Sequence, residues 1–230
     1  MVQIEKENNN IVFWQAAVIS IVVFLLGLFV GVMFESQRTE ATMLTISSLT
    51  YEFSNIKQMT FYYQQISNKD YCEEAIKQNF KFANNNLKKG QEIERYENAN
   101  ILIKTMDSKK REYLLLKTEF LINTLILKEK CNMSQNMIFY FYSDKTTNKN
   151  IIAQQAVQSK VLTDLHNKQT DTFILIPLAA DLNNTVVDLL LASHNITQMP
   201  SLLINNKIVL SGIQSESEIE RYLQKKNSFS

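Results

Sequence analysis

The side chains in this sequence that are most able to do chemistry are two cysteines and two histidines. Cys72 and Cys131 stand in no spacing typical of a metal site, and His166 and His194 are too few to complete one. The sequence has no Ser/His/Asp set, phosphate-binding loop or pair of carboxylates at a spacing that indicates a catalytic centre. We therefore predict neither a metal nor a cofactor, and interpret both histidines as surface or core residues.

Composition limits the classes of function further. The chain has 230 residues, enough for one full domain and an additional segment. Its formal net charge of +1 gives no electrostatic footprint for nucleic acid, so we expect no nucleic-acid partner. With only 4 Gly and 2 Pro, long helices and few linkers are expected.

The elements that could position a site lie between residues 137 and 226. Short apolar runs at residues 137–142 and 172–178 predict two buried strands. Residues 150–167, between them, carry apolar side chains on one helical face and predict a helix. Two strands joined by a helix of this length form a right-handed βαβ unit with a parallel pair.

The remaining elements complete a small α/β domain. Residues 183–194 predict a second, largely buried helix. Residues 201–204 and 207–211 predict a hairpin, because Asn205 and Asn206 tolerate the positive φ of a tight turn. A Ser-x-x-Glu capping box at Ser215 or Ser217 opens a last helix. The predicted order is βαβαββα.

This order, with Pro200 directly before the third strand, resembles the thioredoxin-like superfamily. The resemblance covers about 90 residues, and its most specific part is residues 197–212. It implies that Pro200 follows a cis peptide bond beside the site, an isomer that only proline tolerates. A trans proline that starts a strand is the alternative.

The sequence departs from that superfamily where its enzymes carry Cys-x-x-Cys, at the start of the first helix. Residues 143–155 contain no cysteine and no histidine. Thiol–disulfide exchange requires a thiolate, so this position cannot perform it. The resemblance therefore implies a degenerate, redox-inactive site, formed by Thr146, Thr147, Lys149, Ile152, Met199 and Pro200.

Residues 11–34 are apolar and contain no charge. Roughly 24 helical residues cross the ~30 Å hydrocarbon core, so we predict a transmembrane anchor in the lipid bilayer. A cleaved signal peptide is the alternative, but the basic n-region and small-residue cleavage site that it needs are missing. Gly27 and Gly31 have the spacing of a helix-packing motif and allow a weak homodimer.

Residues 35–131 predict a helical stalk or bundle between a short tail (1–10), the anchor (11–34) and the thioredoxin-like domain (132–230). The helix that leaves the membrane is expected to pack on its own chain. Gly90 is expected to end one helix as its C-cap, and Asp107 with Ser108 to begin the next.

Cys72 opens one predicted helix of this bundle and Cys131 closes another. Antiparallel helices bring such ends together, which predicts a disulfide; two free buried thiols are the alternative. Disulfides persist in oxidising compartments. We therefore expect a single-pass membrane protein with a cytoplasmic N-terminus and an extracytoplasmic C-terminal bulk.

The whole layout is similar to membrane-tethered thioredoxin-like proteins of archaea, which carry Cys-x-x-Cys after a strand ending like Phe141-Tyr142-Ser143. The similarity favours a redox-inactive interaction, chaperone or scaffold module with a protein or peptide partner. Two alternatives stay open. One is an oxidoreductase that uses Cys72 and Cys131, and the other is a structural subunit of a membrane complex.

Overall fold

The computed structural model of the chain describes residues 9–65, 69–98, 103–169 and 172–224. The chain divides after Ser48 into two compact units. The first helix, α1 (Asn9–Gln65), begins in the first unit and ends in the second.

The first unit contains one strongly apolar stretch, Phe13–Phe34, with a mean hydropathy of 2.9. None of it is buried, so it differs from the core helix of a soluble protein. Its 22 residues are long and apolar enough to cross a membrane. They fall within the span predicted at residues 11–34.

The second unit begins with three helical elements. After α1 come a 3₁₀ turn (Lys69–Tyr71), α2 (Cys72–Asn98) and α3 (Ile103–Lys130). Two predicted boundaries are wrong. Gly90 is not a C-cap, because α2 continues through it to Asn98. Asp107 does not begin a helix, since α3 already starts at Ile103 and Asp107 instead pairs with Arg111 one turn later.

The predicted disulfide is present between Cys72, at the start of α2, and Cys131, directly after α3, with their Cα atoms 5.4 Å apart. The Tyr63 hydroxyl of α1 donates to the Ala75 carbonyl of α2 at 3.1 Å. Burial, with a contribution from Glu74, raises the pKa of Tyr63 to about 12, so the phenol keeps its proton and this bond well into the alkaline range. The disulfide connects the start of α2 to the end of α3, and the Tyr63 hydrogen bond connects α1 to α2.

The α/β elements follow in the predicted order. They are β1 (Asn136–Tyr142), α4 (Lys149–Lys168), β2 (Phe173–Ala179), α5 (Thr185–Ser193), β3 (Ser201–Ile204), β4 (Ile208–Ser211) and α6 (Glu216–Gln224). The sheet order is β2-β1-β3-β4, with β1 and β2 parallel and the other neighbours antiparallel. Asn205 and Asn206 have φ of 55° and 56°, as the predicted turn requires. The capping box forms between Ser215 and Glu218.

Two apolar cores cover the two faces of the sheet. The first contains Met137, Phe139 and Phe141 of β1 and joins them to side chains of α1, α2, α3 and α5. The second contains Ile138 and Tyr140 of β1 and joins them to α4 and α6. The alternation follows from the two-residue period of a strand, which sends successive side chains to opposite faces.

The predicted boundary at residue 131 implies that the α/β domain folds independently of the helical bundle, and this independence stays a prediction. Within residues 49–230, however, Ile56 of α1, Phe82 of α2 and Phe120 of α3 belong to the same core as the sheet. The helices therefore cover one face of the sheet in addition to packing on each other.

Removing the disulfide tests its contribution to stability. We expect Cys131→Ala to lower the free energy of unfolding by up to about 4 kcal/mol, because the bond closes a loop across 59 residues and restricts the unfolded chain. Urea denaturation of the solubilised full-length protein measures the change, with Ser193→Ala, at an exposed position of α5, as control. Two free thiols in a peptide map of protein purified without reductant would contradict this account.

Candidate functional site

The candidate site lies at one end of the sheet, the edge formed where the parallel strands β1 and β2 end. Phe141 pairs with Ser201, so the next positions, Tyr142 and Pro200, lie side by side. The Met199–Pro200 peptide bond is cis, as the resemblance implied. Gly212, directly after β4, lies at the same edge, because its N–H donates a hydrogen bond to the Pro200 carbonyl at 2.8 Å.

Asp181, two residues after the end of β2, fixes the loop that follows β1. Its carboxylate accepts hydrogen bonds from the Ser143 hydroxyl at 2.5 Å and from the N–H groups of Asp144 and Lys145, both at 2.8 Å. Burial alone would raise the pKa of Asp181, but these donors outweigh it and hold the pKa below its ordinary value. Three donors converging on one carboxylate give the loop a defined shape.

Two ion pairs join the same loop to α3. Lys110 contacts Asp144 at 2.8 Å, with both side chains largely shielded from water. Lys145 contacts Asp107 at 3.2 Å at a more exposed position, and its hydrogen bond lowers the pKa of Asp107. The helical segment thus helps to position the loop next to Pro200.

Asn148 caps the N-terminus of α4. The Asn148 side chain accepts hydrogen bonds from the N–H groups of Asn150 at 3.0 Å and Ile151 at 3.4 Å. Helix N-terminal N–H groups of this kind are what stabilise a thiolate in a redox site. Here the side-chain oxygen of Asn148 accepts from these N–H groups in place of a thiolate, and residues 143–155 contain no cysteine.

The predicted site residues differ in exposure. Thr147, Lys149 and Ile152 are exposed, and Thr146 is half-buried. Pro200 is buried, and half-buried Met199 packs against the first core. Thr197 and Gln198, just before them, are exposed. Contact between the α4 residues and Met199 or Pro200 stays a prediction.

Sequence reasoning missed Asp181, Asn148, Gln155 and Ile213. Gln155 of α4 brackets the same loop, since its amide accepts from the Ser143 N–H at 2.7 Å and donates to the Ser143 carbonyl at 3.0 Å. Ile213 is 47% exposed and directly follows Gly212. An Asp in the loop that follows a predicted strand was the one signal that could have pointed to Asp181, because the loops after parallel strands meet at one edge.

A parallel β1–β2 pair, an antiparallel β3–β4 hairpin with the order β2-β1-β3-β4, and a cis-proline before β3 together decide the fold. The α/β part of the chain has a thioredoxin-like fold. Its position for Cys-x-x-Cys is the α4 N-terminus described above.

Comparisons with known proteins add three thioredoxin-like solved structures. A chloroplastic thioredoxin z has 10% identity and a TM-score of 0.34, and the match covers 46% of this chain and 89% of that one. Thioredoxin-2 of a malaria parasite has 16% identity, coverage of 40% and 82%, and a TM-score of 0.31. Thioredoxin O2 of Arabidopsis thaliana has 17% identity and a TM-score of 0.28, and the match covers 50% of this chain and 90% of that one. No protein-family model and no curated protein matches the sequence.

The disulfide lies at the opposite end of β1 from this edge. Cys131 precedes the seven-residue strand, which is about 20 Å long at ~3.3 Å per residue, while Tyr142 and Pro200 lie at its far end. Among the residues that the structure describes, no group of three His, Cys, Asp or Glu could hold a metal ion. In this thioredoxin-like fold the one cysteine pair is thus separate from the candidate site.

The Asp181 carboxylate should make the loop sensitive to acid. Because its pKa is lower in the folded than in the unfolded chain, its stabilisation is present above the ordinary value of 3.8 and is lost as pH falls through the lower folded value. We expect Asp181→Asn to cost about 1–2 kcal/mol of stability at neutral pH, since hydrogen bonds to a charged acceptor are the stronger kind.

Amide NMR spectra measure this effect directly. The N–H resonances of Asp144 and Lys145 should shift together below pH 3.8 in the parent protein and lose that titration in Asp181→Asn. Asp188→Asn, at an exposed position in α5, is the matched control. An unchanged acid titration in Asp181→Asn would show that another group holds the loop.

Cysteines placed at the start of α4 test whether the scaffold still supports a thiol site. In Asn148→Cys/Ile151→Cys the first sulfur replaces the N-cap oxygen, so we expect its pKa to fall below the free value of ~8.5. Lys149→Cys/Ile152→Cys should show a smaller decrease, because residue 149 already lies inside the helix. Thiolate absorbance and insulin reduction under dithiothreitol measure both properties.

The matched control is Lys160→Cys/Thr163→Cys, the same spacing in the middle of α4. Its thiols should titrate near the free value and give no reductase activity above that of the parent protein. If all three folded variants titrate alike, the α4 N-terminus does not provide a thiol site.

Proposed function

We propose that this chain is a membrane-anchored, redox-inactive thioredoxin-like module that binds extended segments of protein partners at the sheet edge around Pro200. It serves as an interaction or chaperone module on the outer face of the membrane. The thioredoxin-like fold connects it to a superfamily of thiol oxidoreductases, while residues 143–155 contain no cysteine.

The observation that carries this proposal is the backbone of Thr197, Gln198 and Met199. In the part of the chain that the structure describes, their N–H and C=O groups make no backbone–backbone hydrogen bond. One of these groups, the Gln198 carbonyl, accepts from the Ser201 hydroxyl at 2.6 Å. Backbone groups left open in this way can pair with the main chain of an extended peptide, and they lie before β3, which is an interior strand of the sheet and not an edge strand.

Two exposed apolar side chains are proposed to contact the side chains of such a peptide. Ile213 follows the residue that is hydrogen-bonded to Pro200, and it is 47% exposed. Ile152, in the first turn of α4, is equally exposed. Main-chain bonds with nearby apolar contacts favour segments that are extended and contain at least one large apolar residue.

Membrane anchoring is part of the same proposal. Phe13–Phe34 has the length and composition of a span, and the disulfide is of the kind that persists outside the cytoplasm. Both support a single-pass arrangement with a cytoplasmic N-terminus and an extracytoplasmic C-terminal part. The lipid bilayer and a protein or peptide are then the two partners.

Binding to an array of 12-residue peptides tests the proposed site. We expect the full-length solubilised protein to favour extended, apolar peptides. Ile213→Glu should weaken binding of the best peptide about fivefold or more, because a charge replaces an apolar contact that the bound peptide buries. Leu189→Glu, at a site on α5 that is 64% exposed, should leave binding unchanged. Equal loss in both variants, or no loss in either, would place the peptide elsewhere.

Labelling in intact cells tests the proposed topology. Ser230→Cys in a Cys72→Ala/Cys131→Ala background should react with a membrane-impermeant maleimide before lysis, since the C-terminal part is proposed to lie outside. The same background with Ser230 left unchanged contains no cysteine and controls for other reactions. Labelling that appears only after lysis would reverse the orientation.

A further inference from the structure

Three Asn-x-Ser/Thr motifs occur in the sequence, at Asn132, Asn183 and Asn195. An Asn that is followed two positions later by Ser or Thr is the acceptor of N-linked glycans, which are bulky and lie at the surface of extracytoplasmic proteins. About three such motifs are expected by chance in a chain this rich in Asn, Ser and Thr, so the pattern by itself selects none of them. The structure distinguishes between the three.

The motif at Asn195 presents both of its polar side chains to water. Asn195 and Thr197 are exposed, whereas Ile196 between them is 6% exposed and belongs to the first core. Neither of the two exposed side chains makes a hydrogen bond within the part of the chain that the structure describes. The carboxamide and the hydroxyl can therefore be reached by another protein without breaking a contact of either side chain.

The backbone of this motif lies outside helices and strands. Asn195 follows α5 with a φ of 53°, a left-handed conformation that Asn adopts more readily than most residues. Its N–H donates to the Ala192 carbonyl at 3.3 Å, and the N–H of Ile196 donates to the Leu191 carbonyl at 2.9 Å. Residues 197–199 make no backbone–backbone hydrogen bond within the described ranges. A segment held by so few hydrogen bonds opens locally at low cost, as entry into the active site of a modifying enzyme requires.

Asn195 lies at the opposite end of β3 from the edge around Pro200. The ring Nε2 of the preceding residue, His194, is 3.2 Å from the carbonyl oxygen of Asn206 in the turn between β3 and β4. This turn follows the last residue of β3, while Pro200 precedes the first. A group attached to Asn195 therefore starts beside the turn, away from the proposed peptide edge.

The other two motifs are held more firmly by the fold. At Asn183, the third position of the motif, Thr185, is already the first residue of α5, and the Asn184 side chain caps this helix. At Asn132, the third position is Ser134, which has an interaction partner of its own. Modification of either motif in the folded protein would disturb these contacts. Asn195 is thus the favoured acceptor.

We propose that Asn195 is an N-glycosylation site, modified on the outer face of the membrane by an oligosaccharyltransferase. The donor is an oligosaccharide linked through phosphate to a membrane lipid. The Nδ2 atom of Asn195 forms a bond to the anomeric carbon of the first sugar and loses one proton. The bond between that carbon and the phosphate oxygen breaks, and the lipid phosphate leaves. The Thr197 hydroxyl serves recognition by the enzyme and is not consumed.

This inference rests on the proposed outer orientation of the C-terminal part, and it does not depend on peptide binding at Pro200. Mass spectrometry of the full-length protein purified from its native membranes tests it. After reduction, cleavage after Lys and before Asp places the three motifs on separate peptides, residues 131–143, 181–187 and 188–207. We expect a glycan mass on peptide 188–207. An unmodified peptide 188–207, with or without glycan on the other two, would overturn the proposal.

Variants at Thr197 test whether the motif directs the modification. Thr197→Ala should remove the glycan from peptide 188–207 completely, whereas Thr197→Ser should keep it, because the hydroxyl is retained. Thr185→Ala, which destroys only the motif at Asn183, is the matched control and should leave peptide 188–207 modified. A glycan that persists on this peptide in Thr197→Ala would overturn the proposal.

Labelling of the Ser230→Cys variant in intact cells separates this inference from the orientation on which it rests. If the new cysteine reacts before lysis and peptide 188–207 is unmodified, the glycosylation site is wrong and the orientation stands. If the cysteine reacts only after lysis and the peptide is unmodified, both are wrong. Reaction before lysis together with a glycan on peptide 188–207 is the result that we expect.

Discussion

The structure depends on the burial of β1 from both faces. The five residues between its ends are buried, and they alternate between the two cores of the sheet. Such a strand must be covered on each side, because exposure of either face would leave large apolar side chains such as Phe139 and Phe141 in water. Helices α4 and α6 cover one face, and α5 with the preceding helical segment covers the other. The disulfide is attached close to the start of the same strand.

The same strand places the candidate site. Its last residue lies beside Pro200, and the loop that follows is held by Asp181 from one side and by α3 from the other. This precision is of the kind that a catalytic loop needs, yet the loop ends at an asparagine cap and not at a thiol. What the arrangement still offers is a fixed edge with open backbone groups at residues 197–199. Recognition without redox chemistry is consistent with those features.

The α/β part of the fold could be predicted because its signals are local. Short apolar runs identified the strands, Asn205 and Asn206 the turn, and Ser215 with Glu218 the last helix start. The helical segment was harder, because its boundaries depend on distant contacts. Gly90 is a helix terminator by local preference, but in α2 it provides room for Tyr113 of another helix.

The sequence placed Pro200 and the loop after β1 in the order of elements, but it could not predict the contacts that support them. Pro200 and the residues 143–155 were identified from the order of elements. The hydrogen bonds from Ser143, Asp144 and Lys145 to Asp181 join residues 36 to 38 positions apart, and Lys110 reaches Asp144 across 34 positions. No periodic pattern encodes such pairs. The two cysteines were the exception, since their places at helix ends predicted the bond.

Site-specific photo-crosslinking in native membranes tests the central claim most directly. A photoreactive amino acid at position 213 reports on contacts beside Pro200, and one at exposed position 189 on α5 controls for chance encounters. The account predicts discrete crosslinked protein partners from position 213, absent from position 189 and retained in a folded variant whose two cysteines are replaced by alanine. Identical products from both positions, or products from 213 that are lost in this folded cysteine-free variant, would contradict a redox-independent binding edge.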